Sequence, residues 1–157
     1  MAKVKMVLSW CIPMVLITVG LITPAIAEAK SIKIWPDQVK AAQPNIDYYQ
    51  SVGKCRNNIF YAPLTLPVGA TISRATFYHL GEGSPASTQL LVVRVRMGEV
   101  TETLGSGVSA DSTGEIIQVD IVSFDDPIIR AGYRYYIFVQ SANNNSNFLG
   151  AKITYHE

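Results

Sequence analysis

The sequence predicts an all-β chain folded as an antiparallel two-sheet β-sandwich, jelly-roll-like, with seven or eight strands. Three observations lead there. Beyond residue 27 helical periodicity is almost absent. The chain reads instead as short runs rich in Val, Ile, Thr, Tyr and Phe, broken by Gly, Pro, Asn, Asp and Ser. Within those runs apolar residues recur at alternate positions, so each sheet has a face that only a second sheet can cover.

The first 27 residues stand outside this pattern. Lys3 and Lys5 precede an apolar run from Val7 to Ile22, followed by Pro24 and Ala25-Ile26-Ala27. A basic head, an apolar middle and a small-x-small site describe a secretory signal cleaved after Ala27. The alternative is a retained anchor, but the run is shorter than the ~20 residues a spanning helix needs and holds Ser9, Pro13 and Thr18. Cys11 lies inside the run and leaves with it. The expected organisation is therefore a signal over residues 1–27 and one sandwich domain over residues 28–157, secreted to the periplasm or the cell exterior.

Removing Lys3 and Lys5 changes the balance of basic to acidic residues from 13 against 12 to 11 against 12. A near-neutral domain lacks the positive field that nucleic acid requires, and no basic amphipathic helix is present to lie on a membrane. Cys55 is the one cysteine beyond the signal. It cannot close an internal disulfide, which leaves a free thiol or an intermolecular bridge.

The strands follow in order. "SIKIW" is the first, ended by Pro36, and "PDQVKAAQPN" holds at most one helical turn. "IDYYQS" is a poorly defined second strand. "NIFYAPLTLP" carries Pro63 and Pro67, which lack an amide donor and place it at an edge or a bend. "TISRATFYHL" sets Ala75, Phe77 and His79 on one face, and Arg74, Thr76, Tyr78 and Leu80 on the other. "GEGSPAS" is a loop. "TQLLVVRVRMG" has Leu91, Val93, Val95 and Met97 as its apolar face; Leu90, Val92, Arg94 and Arg96 form a face that turns polar. "EVTETLGSGVSADSTGE" is polar and glycine-rich; it has room for a short strand but reads mostly as loop. "IIQVDIVSF" opposes Ile117, Val119 and Ile121 to Gln118 and Asp120, and "DDP" turns the chain. "YRYYIFVQ" places Tyr133, Tyr135, Ile137 and Val139 on one side, with Arg134, Tyr136, Phe138 and Gln140 on the other. After the turn "SANNNSN", "FLGAKITYHE" closes the chain with Leu149, Ala151, Ile153 and Tyr155 on one side.

Ala62, Pro63, Leu66, Pro67, Gly69 and Ala70, the tyrosine-rich "YRYYIFV", and Gly150, Ile153 and Tyr155 together resemble an uncharacterised family of secreted bacterial β-sandwich domains. That family has an Ala-Pro-x-x-Leu-Pro-x-Gly-Ala segment and a closing Gly-x-x-Ile-x-Tyr strand. The resemblance spans roughly the last 100 residues and implies the sandwich fold, not an activity. His79-Leu80-Gly81 departs from the aromatic and acidic turn usual at that point in the family. Physically, Pro67 and Gly69 suit a tight turn, and Gly150 suits a bulge or close packing.

Little in the chain points to chemistry. His79 and His156 stand in no recognisable nucleophile–base order, and His79 reads as half-buried on its strand. Asp125 and Asp126 are sequence neighbours whose side chains diverge, unlike a glycosidase acid pair. Asp111, Asp120, Asp125 and Asp126 could offer oxygens to calcium, but without a D-x-D-x-D-G loop. No zinc, haem, Walker or Rossmann signature occurs, and no cofactor is expected. Asn144-Asn145-Ser146 is a glycosylation sequon and equally a loop.

The candidate interaction surface is therefore Tyr136 and Phe138, with Arg94 and Arg96 as a basic fringe to which Arg74 could add. Three outcomes fit the two outward aromatics: a sugar, a second subunit, or cover by the chain itself. The leading expectation is a non-enzymatic structural or assembly protein that self-associates or joins the cell surface, with "SIKIW" able to pair with a neighbour's sheet edge. The alternative is a carbohydrate-binding module.

Overall fold

The computed structural model describes residues 28–41, 53–55, 59–81, 88–109, 114–141 and 146–157. Residues 1–27, expected to be a signal, together with "IDYYQS", Asp111, Asn144, Asn145 and the side chain of Cys55, lie outside the described residues. Among those described, no helix is long and apolar enough to cross a membrane.

The strands are β1 (Lys30–Ile34), β2 (Lys40–Ala41), β3 (Gly53–Cys55), β4 (Ile59–Leu64), β5 (Thr71–Gly81), β6 (Thr88–Arg96), β7 (Glu102–Ser109), β8 (Ile116–Ile121), β9 (Tyr133–Ser141) and β10 (Ser146–His156). One 3-10 turn, Pro36–Gln38, follows β1. Every pairing between strands is antiparallel. The first sheet runs β1-β10-β5-β8, with β3 also pairing β10; the second runs β2-β4-β9-β6-β7. With the short β2 and β3 set aside, the eight longer strands run first-eighth-third-sixth in one sheet and second-seventh-fourth-fifth in the other. That alternation between sheets is jelly-roll winding, as the sequence predicts.

The shared interior holds Phe77, Ile153, Ala75 and Phe148 from the first sheet, facing Phe60, Leu90, Val92, Ile137 and Val139 from the second. The outward–inward alternation of β5, β8 and β9 matches the sequence pattern. β4 lies beside β9 and meets β2 only at Phe60 and Tyr61, so Pro63 falls where no outer strand needs its missing amide. Pro67 and Gly69 form the expected turn: the Ala70 amide donates to the Pro67 carbonyl at 3.1 Å, and Gly69 has φ +92°.

Four local expectations are corrected. In β6 it is Leu90 and Val92 that face the core, because β9 sets Val139 and Ile137 directly opposite them. Leu91 and Val93 go to the outer side, where Val93 is still only 2% exposed, and Met97 is 96% exposed in the following turn. The glycine-rich stretch is strand β7 rather than loop. Its glycines are there for space: a Cβ on Gly105 would lie 2.7 Å from the Phe124 ring and one on Gly107 2.9 Å from Val119. In β10 the register shifts between Phe148 and Gly150, so Phe148 rather than Leu149 enters the core. β1 pairs with β10 along its whole length and is the terminal strand of that sheet, so among the described residues its other edge has no strand beside it. His79 is 1% exposed, fully inside instead of half-buried.

Candidate functional site

Tyr136 and Phe138 lie on the outer face of the second sheet, as alternation requires. In register, Phe138 sits between Tyr61 on β4 and Leu91 on β6, and Tyr136 between Pro63 and Val93. The three rings pack on one another. Tyr136 meets Tyr61 at 78° and Phe138 at 65°, with centroids 5.9 and 6.2 Å apart; Tyr61 and Phe138 are tilted by 32° at 6.0 Å. Edge-to-face contact suits the ring quadrupoles. It also spends the ring faces on each other, so the half-buried cluster is not a coplanar platform.

Arg94 and Arg96 do not join it. They stand opposite Tyr135 and Tyr133, on the reverse side of the sheet. Arg94 donates from Nε to Glu102 at 2.6 Å and from Nη1 to Asp126 at 2.5 Å, and its guanidinium lies 5.1 Å from the Tyr133 ring centre. Arg96 pairs with Glu99 at 3.1 Å. Arg130 also reaches Asp126, at 2.9 Å. The hydrogen bond from Arg94, then that from Arg130, holds the Asp126 carboxyl below its ordinary range. This is a bracket tying the β6–β7 hairpin to the 125–127 turn. Arg74 is on the other sheet and adds nothing to it.

A cleft of about 250 Å³ opens on the outer face of the first sheet. Its construction begins with Pro36, which restricts Trp35 to extended backbone, φ −89° and ψ 159°. The Trp35 amide donates to Gln38 Oε1 at 2.9 Å, and its carbonyl accepts from the Gln38 amide at 3.0 Å. So anchored, Trp35 is 58% exposed. Tyr78 projects from β5, and its register partner on β10 is Gly150. Gly150 has φ +141°, and a Cβ there would come within 3.0 Å of the Ile34 carbonyl oxygen. The bulge therefore requires glycine, and the missing side chain leaves the floor of the cleft open. Lys33 and Lys152, exposed and directly opposite each other, line one side.

Sequence reading missed this cleft. Trp35 looked like the end of a strand and Tyr78 like one more outward residue. The one available signal was a tryptophan fixed by a following proline. A second concavity, about 430 Å³, lies at one end of the sandwich between Pro63–Val68 and Ile129–Tyr136. Of its two arginines, Arg130 and Arg134, the first is engaged with Asp126; its Tyr135 is buried, donating to the Ile128 carbonyl at 3.4 Å.

The acid–base candidates are placed in structural settings. His79 Nε2 contacts Ser109 Oγ across the two sheets, with both residues buried, where no substrate reaches the pair. Asp120 accepts from Thr76 Oγ1 at 2.6 Å and Gln118 Nε2 at 3.1 Å. The Asp125 amide donates to the Leu104 carbonyl at 2.7 Å. Among the described residues no three His, Cys, Asp or Glu side chains are grouped to hold a metal.

No protein-family model matches the chain, and no curated protein matches it. Among solved structures it is similar to the C-terminal CBM6 of LamC from Zobellia galactanivorans, at 11% identity and a TM-score of 0.48, covering 80% of this chain and 99% of that one. It is similar also to the CBM22-2 xylan-binding domain of Paenibacillus barcinonensis Xyn10C, at 8% identity, a TM-score of 0.49 and coverage of 80% and 99%. A third is the CBM36-1 domain of a multidomain xylanase from the hindgut metagenome of Trinervitermes trinervoides, at 11% identity, a TM-score of 0.46 and coverage of 79% and 96%.

Proposed function

We propose that the domain is a non-catalytic carbohydrate-binding module of an exported protein, and that the Trp35–Tyr78 cleft receives the sugar. One observation carries the reading: a tryptophan 58% exposed, its backbone tied to Gln38, at the mouth of a cleft whose floor lacks a side chain. An exposed indole presents an apolar face to the C–H face of a pyranose, and a small number of polar groups around a concave apolar site fix orientation. The neighbouring lysines can donate to ring hydroxyls. A domain of this kind needs no base, nucleophile or metal, in keeping with the settings of His79, Asp120 and Asp126.

The test is direct, because Trp35 and Trp10 are the two tryptophans and Trp10 belongs to the signal segment. In the form beginning at Glu28, indole emission reports on the cleft alone. Titration with a panel of soluble oligosaccharides is expected to shift that emission for at least one ligand, and Trp35→Ala to remove the matching heat in calorimetry. A folded protein that shows neither signal across the panel ends the reading.

A second reading, a self-associating assembly subunit, is favoured by the outer face of the second sheet, where Tyr61, Tyr136, Phe138 and Leu91 stay half exposed beside Val108. Aromatic clusters of this kind suit subunit contacts. Light scattering that finds an oligomer dispersed by Phe138→Asp supports it; a monomer at every concentration removes it.

A further inference from the structure

The fold gives no reason for two lysines to face each other. Directly opposite residues on one face of an antiparallel pair hold their Cβ atoms about 5 Å apart, and like charges there are destabilising. β1 and β10 nevertheless set Lys33 against Lys152. Among the described residues neither ammonium has a carboxylate partner; the ion pairs involve Lys30, Arg94, Arg96 and Arg130 instead. The acid nearest in register on this face is Asp120, which is separated from Lys152 by Thr76. That is two strand spacings, about 10 Å, and the Asp120 oxygens already accept from Thr76 and Gln118. Both lysines border the cleft that holds Trp35 and Tyr78.

We infer that the cleft takes a negatively charged sugar, its ring against Trp35 and its carboxylate or sulfate between Lys33 and Lys152. An anion placed there converts a repulsive cross-strand pair into two attractive ones, while the aromatic wall holds the apolar ring face. The inference rests on the carbohydrate reading of the cleft and adds the class of sugar. Exposed ion pairs are individually weak, so the charge confers preference and not the whole affinity.

The experiment titrates the form beginning at Glu28 with three ligands of matched length: an oligogalacturonate, a sulfated galactan oligosaccharide and a neutral galactan oligosaccharide. Trp35 emission and calorimetric heat are followed together. At least one charged ligand is expected to bind roughly tenfold more tightly than the neutral one, with the margin shrinking as salt is added. The arm that carries the preference tells carboxylate from sulfate. Lys33→Gln and Lys152→Gln should each narrow the margin, weakening the charged ligand several-fold more than the neutral one. Equal affinity for charged and neutral ligands, or a preference untouched by both lysine variants, overturns the anionic assignment and leaves the sugar site standing. Silence from all three ligands while another oligosaccharide of the panel binds overturns the inference alone; silence across the whole panel removes the site and the inference with it.

Discussion

Gly150 combines two demands in one residue. Its φ of +141° is a region that residues with a Cβ avoid, and the Ile34 carbonyl oxygen occupies the space a Cβ would take. Gly150→Ala is expected to lower stability by about 1–3 kcal/mol through strain, read as a lower denaturation midpoint, and to weaken any ligand of the cleft it floors. Asp126 makes a different case, since its backbone is also left-handed at φ +53° and its carboxylate is bracketed by Arg94 and Arg130. A carboxyl with a lowered pKa binds its proton less readily folded than unfolded. Its contribution is therefore complete above the ordinary aspartate value, about 4, and is lost as pH falls through the folded value. Asp126→Asn keeps the backbone preference, so urea midpoints measured against pH should lose part of their acid-side decline. An unchanged acid limb would mean that the bracket adds no pH-dependent stability.

At the scale of the element, register decides what a strand's pattern means. "FLGAKITYHE" read with strict alternation puts Leu149 inside; the bulge before Gly150 substitutes Phe148. Phe148→Ala should cost about 3–5 kcal/mol as a core truncation, whereas Leu149→Ala should cost under about 1 kcal/mol. Chemical denaturation of the two variants checks the register, and a reversed order would refute it. β9 was legible because its alternation is uninterrupted and one set, Tyr135, Ile137 and Val139, is clearly a core set. β6 was not, since Val and Leu occur on both of its faces and only pairing with β9 selects Leu90 and Val92. β7 was hidden by its own composition. Glycine usually signals a loop, yet at Gly105 and Gly107 it lets β8 and Phe124 approach the strand.

At the scale of the molecule, the aromatic cluster and the cleft occupy opposite outer faces, with two sheets stacked about 10 Å apart between them. Substitutions on the two faces should act independently. Tyr136→Ala is expected to leave titrations at Trp35 unaltered, and Trp35→Ala to leave the oligomeric state unaltered; coupling between the two would contradict the architecture. The shared core also predicts one cooperative unfolding transition, with Trp35 emission and far-ultraviolet dichroism tracing the same curve.

By itself the sequence determined that this is a sandwich, roughly where most strands lie, and which residues of β5, β8 and β9 form its interior. Alternation is a local property, written along each strand by burial on one side. The cleft was decided only by tertiary structure. Trp35, Tyr78, Gly150 and the two lysines come from separate strands and segments, and antiparallel pairing across β1, β10 and β5 is what brings them to one place. Nothing along the chain encodes which strand becomes a neighbour's partner, so a site assembled across three strands is invisible until they pair.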